Sequence, residues 1–144
     1  MELFISLFVI LFLVGAISFL KPSKKMKALS EVRMSAAKEG FKIGSTNELR
    51  KKFKNWSPQV AIYQIKNTSH HKNLHYLRIE NKLKLYEPIS FKYDNQFQIV
   101  EEKISQLPSS VLEIIFYQSN IAIVWNEMLG IKELLKIKEA VLKI

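Results

Sequence analysis

The chain has 144 residues, a formal net charge of +9 at pH 7 and no cysteine. The absence of cysteine excludes disulfides, thiolate metal sites and cysteine nucleophiles. A chain of this length supports one small domain, and the excess of cations favours an anionic partner or a negatively charged membrane surface.

An uncharged apolar run occupies residues 3–20, with the sequence LFISLFVILFLVGAISFL. As an α-helix it would be about 27 Å long, close to the hydrocarbon thickness of a bilayer. In lipid the backbone must satisfy its own hydrogen bonds, and a helix does this. The sequence therefore predicts a single transmembrane anchor over residues 1–20.

The charges beside this run predict its orientation. Residues 21–54 contain eleven Lys or Arg against three Glu, whereas only Met1 and Glu2 precede the run. Four of the cations follow the run directly: Lys21, Lys24, Lys25 and Lys27. We expect these four residues to contact lipid headgroups and to determine the membrane topology of the chain. Cations concentrate on the cytoplasmic side of a span. We therefore expect the N-terminus outside and everything from Lys21 onward in the cytoplasm.

Two alternatives remain open for the apolar run. Val14-Gly15-Ala16 is similar to a signal-peptide cleavage site, although a signal peptide has its basic residues before the apolar stretch. The run is also long enough to be the buried core helix of a soluble protein.

Residues 21–57 are predicted to be a basic juxtamembrane helical segment. Ser23 and Gly40 are a natural cap and stop for a helix over 23–39, which we expect to lie near the headgroups. A short strand follows over 41–43. Ser45-Thr46-Asn47-Glu48 matches a capping box and opens a helix that extends to Lys54.

Residues 58–144 are predicted to form a cytoplasmic α+β domain, a small antiparallel sheet covered by helices on one face. Hairpin-like connections between strands favour this class over a parallel α/β fold. The densely apolar last strand pair is expected at the centre of the sheet, with its turn at Ser119-Asn120. Trp56, Phe91, Phe97, Phe116 and Trp125 are candidate core residues. Strands are predicted over 60–65, 74–80, 83–87, 89–93, 111–117 and 121–125, and helices over 96–107 and from 126 onward.

The sequence contains no pattern that clearly indicates a catalytic site. His70, His71 and His75 are the only histidines and fall on a predicted polar loop that runs into a strand, with no acidic residue within four positions, so we predict no metal site and no cofactor. Glu101 and Glu102 are adjacent on a predicted helix and therefore diverge. The sequence contains no nucleophile elbow and no phosphate-binding glycine loop. We expect a protein that is not an enzyme, with no small-molecule substrate.

A second basic cluster suggests an anion-binding surface. Arg50, Lys51, Lys52 and Lys54 lie on the predicted short helix, and the simplest alternative is a solvated helix face. Phe53 and Trp56 lie among these cations, in a pattern that also permits base stacking, but Trp56 precedes a strand and fits a core better. Nucleic acid is therefore a weaker expectation than protein or anionic lipid.

Residues 3–45, with their span, the Lys21-Pro22 exit and the basic helix, resemble the YajC family of translocon accessory subunits. The chain is similar as well to small N-terminally anchored membrane proteins of Gram-negative bacteria. The predicted anchor, the basic segment after it, a domain able to fold and the lack of a catalytic motif lead us to expect a bacterial inner-membrane protein with a periplasmic N-terminus, acting as an accessory or scaffolding subunit of a membrane complex. The alternative is a module that binds anionic lipid or nucleic acid through its basic face.

Overall fold

The computed structural model describes residues 1–44 and 46–144. Within them the chain forms five α-helices, six strands and two 3-10 turns. The helices are α1 (Glu2–Leu20), α2 (Lys24–Lys38), α3 (Asn47–Lys51), α4 (Phe97–Ser105) and α5 (Ile131–Leu142). The strands are β1 (Lys42–Gly44), β2 (Ala61–Lys66), β3 (Leu74–Ile79), β4 (Lys82–Glu87), β5 (Val111–Phe116) and β6 (Asn120–Trp125), and the 3-10 turns cover Ile89–Tyr93 and Glu127–Leu129.

Helix α1 is the apolar run identified in the sequence. It has 19 residues and a mean hydropathy of 2.9, so its length and composition are sufficient to cross a membrane. None of its side chains is buried against the rest of the chain.

The six strands form one antiparallel sheet in the order β1-β2-β6-β5-β3-β4. The prediction that the last strand pair is central is confirmed, because β5 and β6 have neighbours on both sides. Their tight turn lies one residue earlier than predicted: Tyr117 N–H donates to the Asn120 carbonyl at 2.8 Å, so Gln118 and Ser119 form the turn.

One face of the sheet carries the main core. Alternate strand residues such as Tyr63, Tyr76, Phe116 and Trp125 point into it and are completely buried. Helices α2, α4 and α5 supply the opposing apolar side chains. The α+β prediction, with helices covering a sheet face, is confirmed. Of the candidate core residues, Phe116 and Trp125 are buried, whereas Trp56, Phe91 and Phe97 are only half-buried.

Helix α2 is packed onto the folded domain. Ser23 caps its start by accepting from Met26 N–H, and Gly40 follows its end with a φ of +91°, as the sequence predicted. Val32 and Ala36 enter the main core. Only residues 21–23 therefore separate the apolar helix from an element that belongs to the domain.

Three predicted elements differ from the structure. The predicted strand over 89–93 is wrong: these residues form a 3-10 turn, in which the Pro88 carbonyl accepts from Phe91 N–H at 3.1 Å. Helix α3 ends at Lys51 rather than Lys54, and Thr46 caps it. Ser45 lies outside the described residues. The last helix begins at Ile131, because Gly130 with a φ of +86° separates it from the turn that precedes it.

Candidate functional site: a basic aromatic face

The second face of the sheet is covered by α3 and the segment that follows it. Phe53, 6% exposed, inserts into an apolar cluster with Ile62, Ile115 and Val124. Leu49 and Trp56 pack against the edge of that cluster. The segment 50–56 is therefore fixed on the sheet, and the cations of the second basic cluster have defined positions.

Glu113 holds this segment in place. The side chain is completely buried, yet it lies on β5 in the middle of the sheet. Its oxygens accept from Lys54 N–H at 2.9 and 3.0 Å and from Asn55 N–H at 2.9 Å. Burying a carboxyl group is costly unless its oxygens are hydrogen-bonded, and these donors supply the bonds.

His75 is the third partner of Glu113. The imidazole is 4% exposed, and its Nε2 contacts Glu113 Oε1. Its Nδ1 lies 3.6 Å from Glu87 Oε1, and the Tyr86 ring packs against it with centroids 5.0 Å apart. His75 lies on β3, within the strand predicted over 74–80, and the sheet register brings to it two carboxyl groups that are distant in the sequence.

The three histidines do not converge. His70 is exposed and His71 is half-buried on the loop before β3, where burial and nearby Lys103 lower the pKa of His71. The two ring nitrogens of His75 face different carboxyl groups, so the trio cannot direct its donors at one ion. Over residues 1–44 and 46–144 no group of three His, Asp or Glu side chains has the arrangement of a metal site.

Three cations on this face lie over aromatic rings. The Arg50 guanidinium is 4.7 Å from the centroid of Trp56, Lys52 Nζ is 5.4 Å from that of Tyr117, and Lys54 Nζ is 6.0 Å from that of Tyr86. Cation–π contacts of this kind stabilise side-chain positions without neutralising charge. We call this surface the basic aromatic face, defined by Arg50, Lys52, Lys54, Trp56, Tyr86 and Tyr117.

The charge of the face is not compensated. In the part of the chain that the structure describes, no carboxylate forms an ion pair with Arg50, Lys51, Lys52 or Lys54. Lys51 is exposed on α3. The four cations were predicted because they are close in the sequence, whereas Tyr86 on β4 and Tyr117 directly after β5 were not.

The first basic cluster occupies a different place. Lys21, Lys24, Lys25 and Lys27 are all exposed, and they lie on the connection after α1 and on the first turn of α2. They are therefore at the end of the apolar helix, where the sequence analysis expected them to meet headgroups.

An ion pair fastens α2 to the domain. Arg33 donates to both carboxylate oxygens of Glu127, with Nε–Oε2 at 2.8 Å and Nη2–Oε1 at 2.9 Å. The Tyr63 hydroxyl donates to the same carboxylate at 2.7 Å. Immediately after α2, the Glu39 carbonyl accepts from Lys138 Nζ at 2.9 Å. These bonds make α2 a rigid part of the domain.

Comparison with known proteins gives no matching family model, no similar curated protein and no similar solved structure.

Proposed function

We propose that the protein is a single-pass membrane protein whose α+β domain binds another protein at the membrane surface, as an accessory or scaffolding subunit of a membrane complex. The observation that carries this proposal is that α1, apolar over 18 consecutive residues, has no buried side chain. A bilayer would cover that surface, since the helix length matches the hydrocarbon thickness.

The alternatives for α1 are less consistent with these observations. A core helix of a soluble protein would be buried, whereas every residue of α1 is exposed. A signal peptide would carry its cations before the apolar stretch, but here they follow it. The same asymmetry favours a periplasmic N-terminus and a cytoplasmic domain in a bacterial inner membrane.

The short connection between α1 and α2 supports a function at the membrane surface. Residues 21–23 span at most about 11 Å even when fully extended. Because α2 is fixed to the domain by Arg33 and Glu127, a membrane-inserted α1 would hold the whole domain close to the headgroups. A partner reached from this position is itself a membrane protein or lies beside the membrane.

The basic aromatic face is the surface we propose for the partner. Aromatic residues and Arg are enriched where proteins bind one another, and unpaired cations favour an acidic segment. The resemblance of residues 3–45 to the YajC accessory subunits agrees with such a role. Anionic lipid is the second candidate, because the cations have no carboxylate partner within residues 1–44 and 46–144 and the domain would lie near headgroups.

Site-specific photocrosslinking in intact cells tests the proposal. A photoreactive residue at Lys52 or Lys54 should give one protein adduct of defined mass, and the exposed Lys136 on α5 provides a matched control position. The adduct should fall about tenfold when Arg50 and the remaining lysine of the face become Gln, since each charged contact contributes strongly to binding. Adducts with lipid alone, or equal protein adducts from position 136, would contradict a protein partner on this face.

A further inference from the structure

We propose that a cleft between α2, α3 and the β1–β2 edge binds a phosphate monoester through Arg50 and Arg33. This site goes beyond the protein-partner proposal and does not depend on it. It shares only Arg50 and Trp56 with the basic aromatic face.

The cleft has a volume of about 410 Å³ and is open to solvent. Arg33, Arg50 and Trp56 line it together with apolar side chains of the β1–β2 edge, including Ile43 and Val60. This space is sufficient for a phosphate group with a short organic substituent. The apolar wall would contact the substituent while the guanidinium groups contact the oxygens.

Arg50 lines this cleft and forms no ion pair among the described residues. Its Nε is buried and has no hydrogen-bond partner among the described residues. Its guanidinium group lies over the Trp56 ring, which fixes the direction of its N–H donors. Because the Nε atom is covered, a ligand would be bound by the terminal Nη groups, which present paired N–H donors to phosphate oxygens.

Arg33 supplies the second guanidinium group of the cleft. Its Nε and Nη2 are engaged by Glu127, which leaves Nη1 for a ligand, and the side chain is half exposed. The Glu127 carboxylate also lines the cleft, but Arg33 and the Tyr63 hydroxyl already occupy its oxygens. One uncompensated positive charge, that of Arg50, therefore remains in the cleft.

Phosphate is the anion that this arrangement suits best. Guanidinium groups bind phosphate through paired N–H donors, and a monoester offers three oxygens and up to two negative charges. The same group occurs on soluble phosphate esters and on the headgroup of phosphatidic acid. A domain held close to a membrane has access to both.

Tryptophan emission of the full chain reports on the cleft. The chain has two tryptophans, and Trp125 is completely buried in the main core, so Trp56 is the one that senses a ligand. The full chain is placed in phosphatidylcholine nanodiscs and titrated with glycerol 3-phosphate. In the second arm, phosphatidic acid replaces part of the nanodisc lipid and no soluble ester is added.

We expect a saturable emission change in one of the two arms, and the arm identifies the source of the phosphate. Arg50→Gln should weaken the response about tenfold, and Arg50→Lys, which keeps the charge but loses the paired N–H donors of the guanidinium group, should weaken it as well. Lys51→Gln removes the same charge from the neighbouring exposed residue and should change the midpoint less than about twofold. Far-ultraviolet circular dichroism of each variant verifies that the domain stays folded.

Two results would overturn the proposal: no saturable change in either arm, or equal weakening by Lys51→Gln and Arg50→Gln. Neither bears on the photocrosslinks at Lys52 and Lys54, so failure of this site and failure of the protein-partner proposal are distinguishable.

Discussion

Replacing Glu113 by Ala will lower the free energy of unfolding of the domain by about 3 kcal/mol. The substitution removes the acceptor of Lys54 N–H and Asn55 N–H and the partner of His75 Nε2. Each buried donor that loses its acceptor costs about 1–3 kcal/mol. The segment 50–56 should then detach from the sheet, and crosslinking from Lys52 should decrease with it.

Urea unfolding of residues 21–144 measures this effect, because that part of the chain contains every buried side chain. Glu113→Gln keeps one acceptor oxygen and should cost less than Glu113→Ala. Glu102→Ala, at an exposed site on α4, is the matched control and should change stability by less than about 0.5 kcal/mol. If Glu113→Ala unfolds at the same urea concentration as Glu102→Ala, the proposed anchoring role of Glu113 is wrong.

Replacing Glu127 by Gln will lower stability at neutral pH by about 2 kcal/mol, since it breaks a charge-assisted bond to the buried Tyr63 and an ion pair with the half-exposed Arg33. Burial raises the pKa of Glu127, but hydrogen bonds from Arg33 and Tyr63 and the Arg33 charge outweigh it and hold the pKa below its ordinary value of 4.5. A carboxylate with a depressed pKa stabilises the fold above its unfolded-state pKa and loses that contribution as the pH falls.

The pH dependence separates this effect from a packing defect. The stability difference between the native chain and Glu127→Gln should be constant at neutral pH and should shrink as the pH falls from about 4.5 through the depressed pKa. Urea midpoints of both proteins at several pH values give this difference. A difference that persists unchanged in acid would mean that Gln disturbs packing and that the charge of Glu127 contributes little.

Much of the fold was predictable from local patterns. Strands β2, β3, β4, β5 and β6 follow from alternating or densely apolar runs between polar turns, and their predicted bounds differ from the structure by one residue or so. Ser23 and Gly40 predicted both ends of α2, because a cap and a left-handed glycine act locally. The central position of β5 and β6 followed from their apolar character on both faces.

Errors arose where a local pattern allowed two structures. The apolar residues of 89–93 fit a strand by composition, but the turn that Pro88 begins makes its own hydrogen bonds and joins no sheet. Simple alternation along a strand over 111–117 would place Leu112 on the same face as Ile114 and Phe116. A bulge between Val111 and Glu113 turns Leu112 to the opposite face, beside Phe53.

Only the cations of the candidate site could be predicted from the sequence, and the contacts that hold them in place could not. The cations of residues 50–54 are adjacent in the sequence and could be found there. Glu113 and His75, in contrast, are 38 residues apart and meet only because β3 pairs with β5. Arg33 and Glu127 are 94 residues apart, and no local signal distinguishes this arginine from the other cations of the basic segment.

These contacts connect the proposed membrane helix with the basic aromatic face. Arg33 and Glu127 fix α2 to the domain, and Glu113 fixes the cationic segment to the sheet. If α1 spans a membrane as proposed, its end three residues before α2 would keep the basic aromatic face close to the membrane surface.

Cysteine labelling of membrane topology tests whether α1 spans a membrane with the folded domain on the cytoplasmic side. The native chain has no cysteine, so Glu2→Cys and Gln118→Cys each introduce a single thiol at an exposed position, one before the apolar run and one in the β5–β6 turn. We predict that a membrane-impermeant maleimide labels position 2 in intact cells and labels position 118 only after permeabilisation. Labelling of position 118 in intact cells, or release of the full chain by an alkaline wash, would contradict the account.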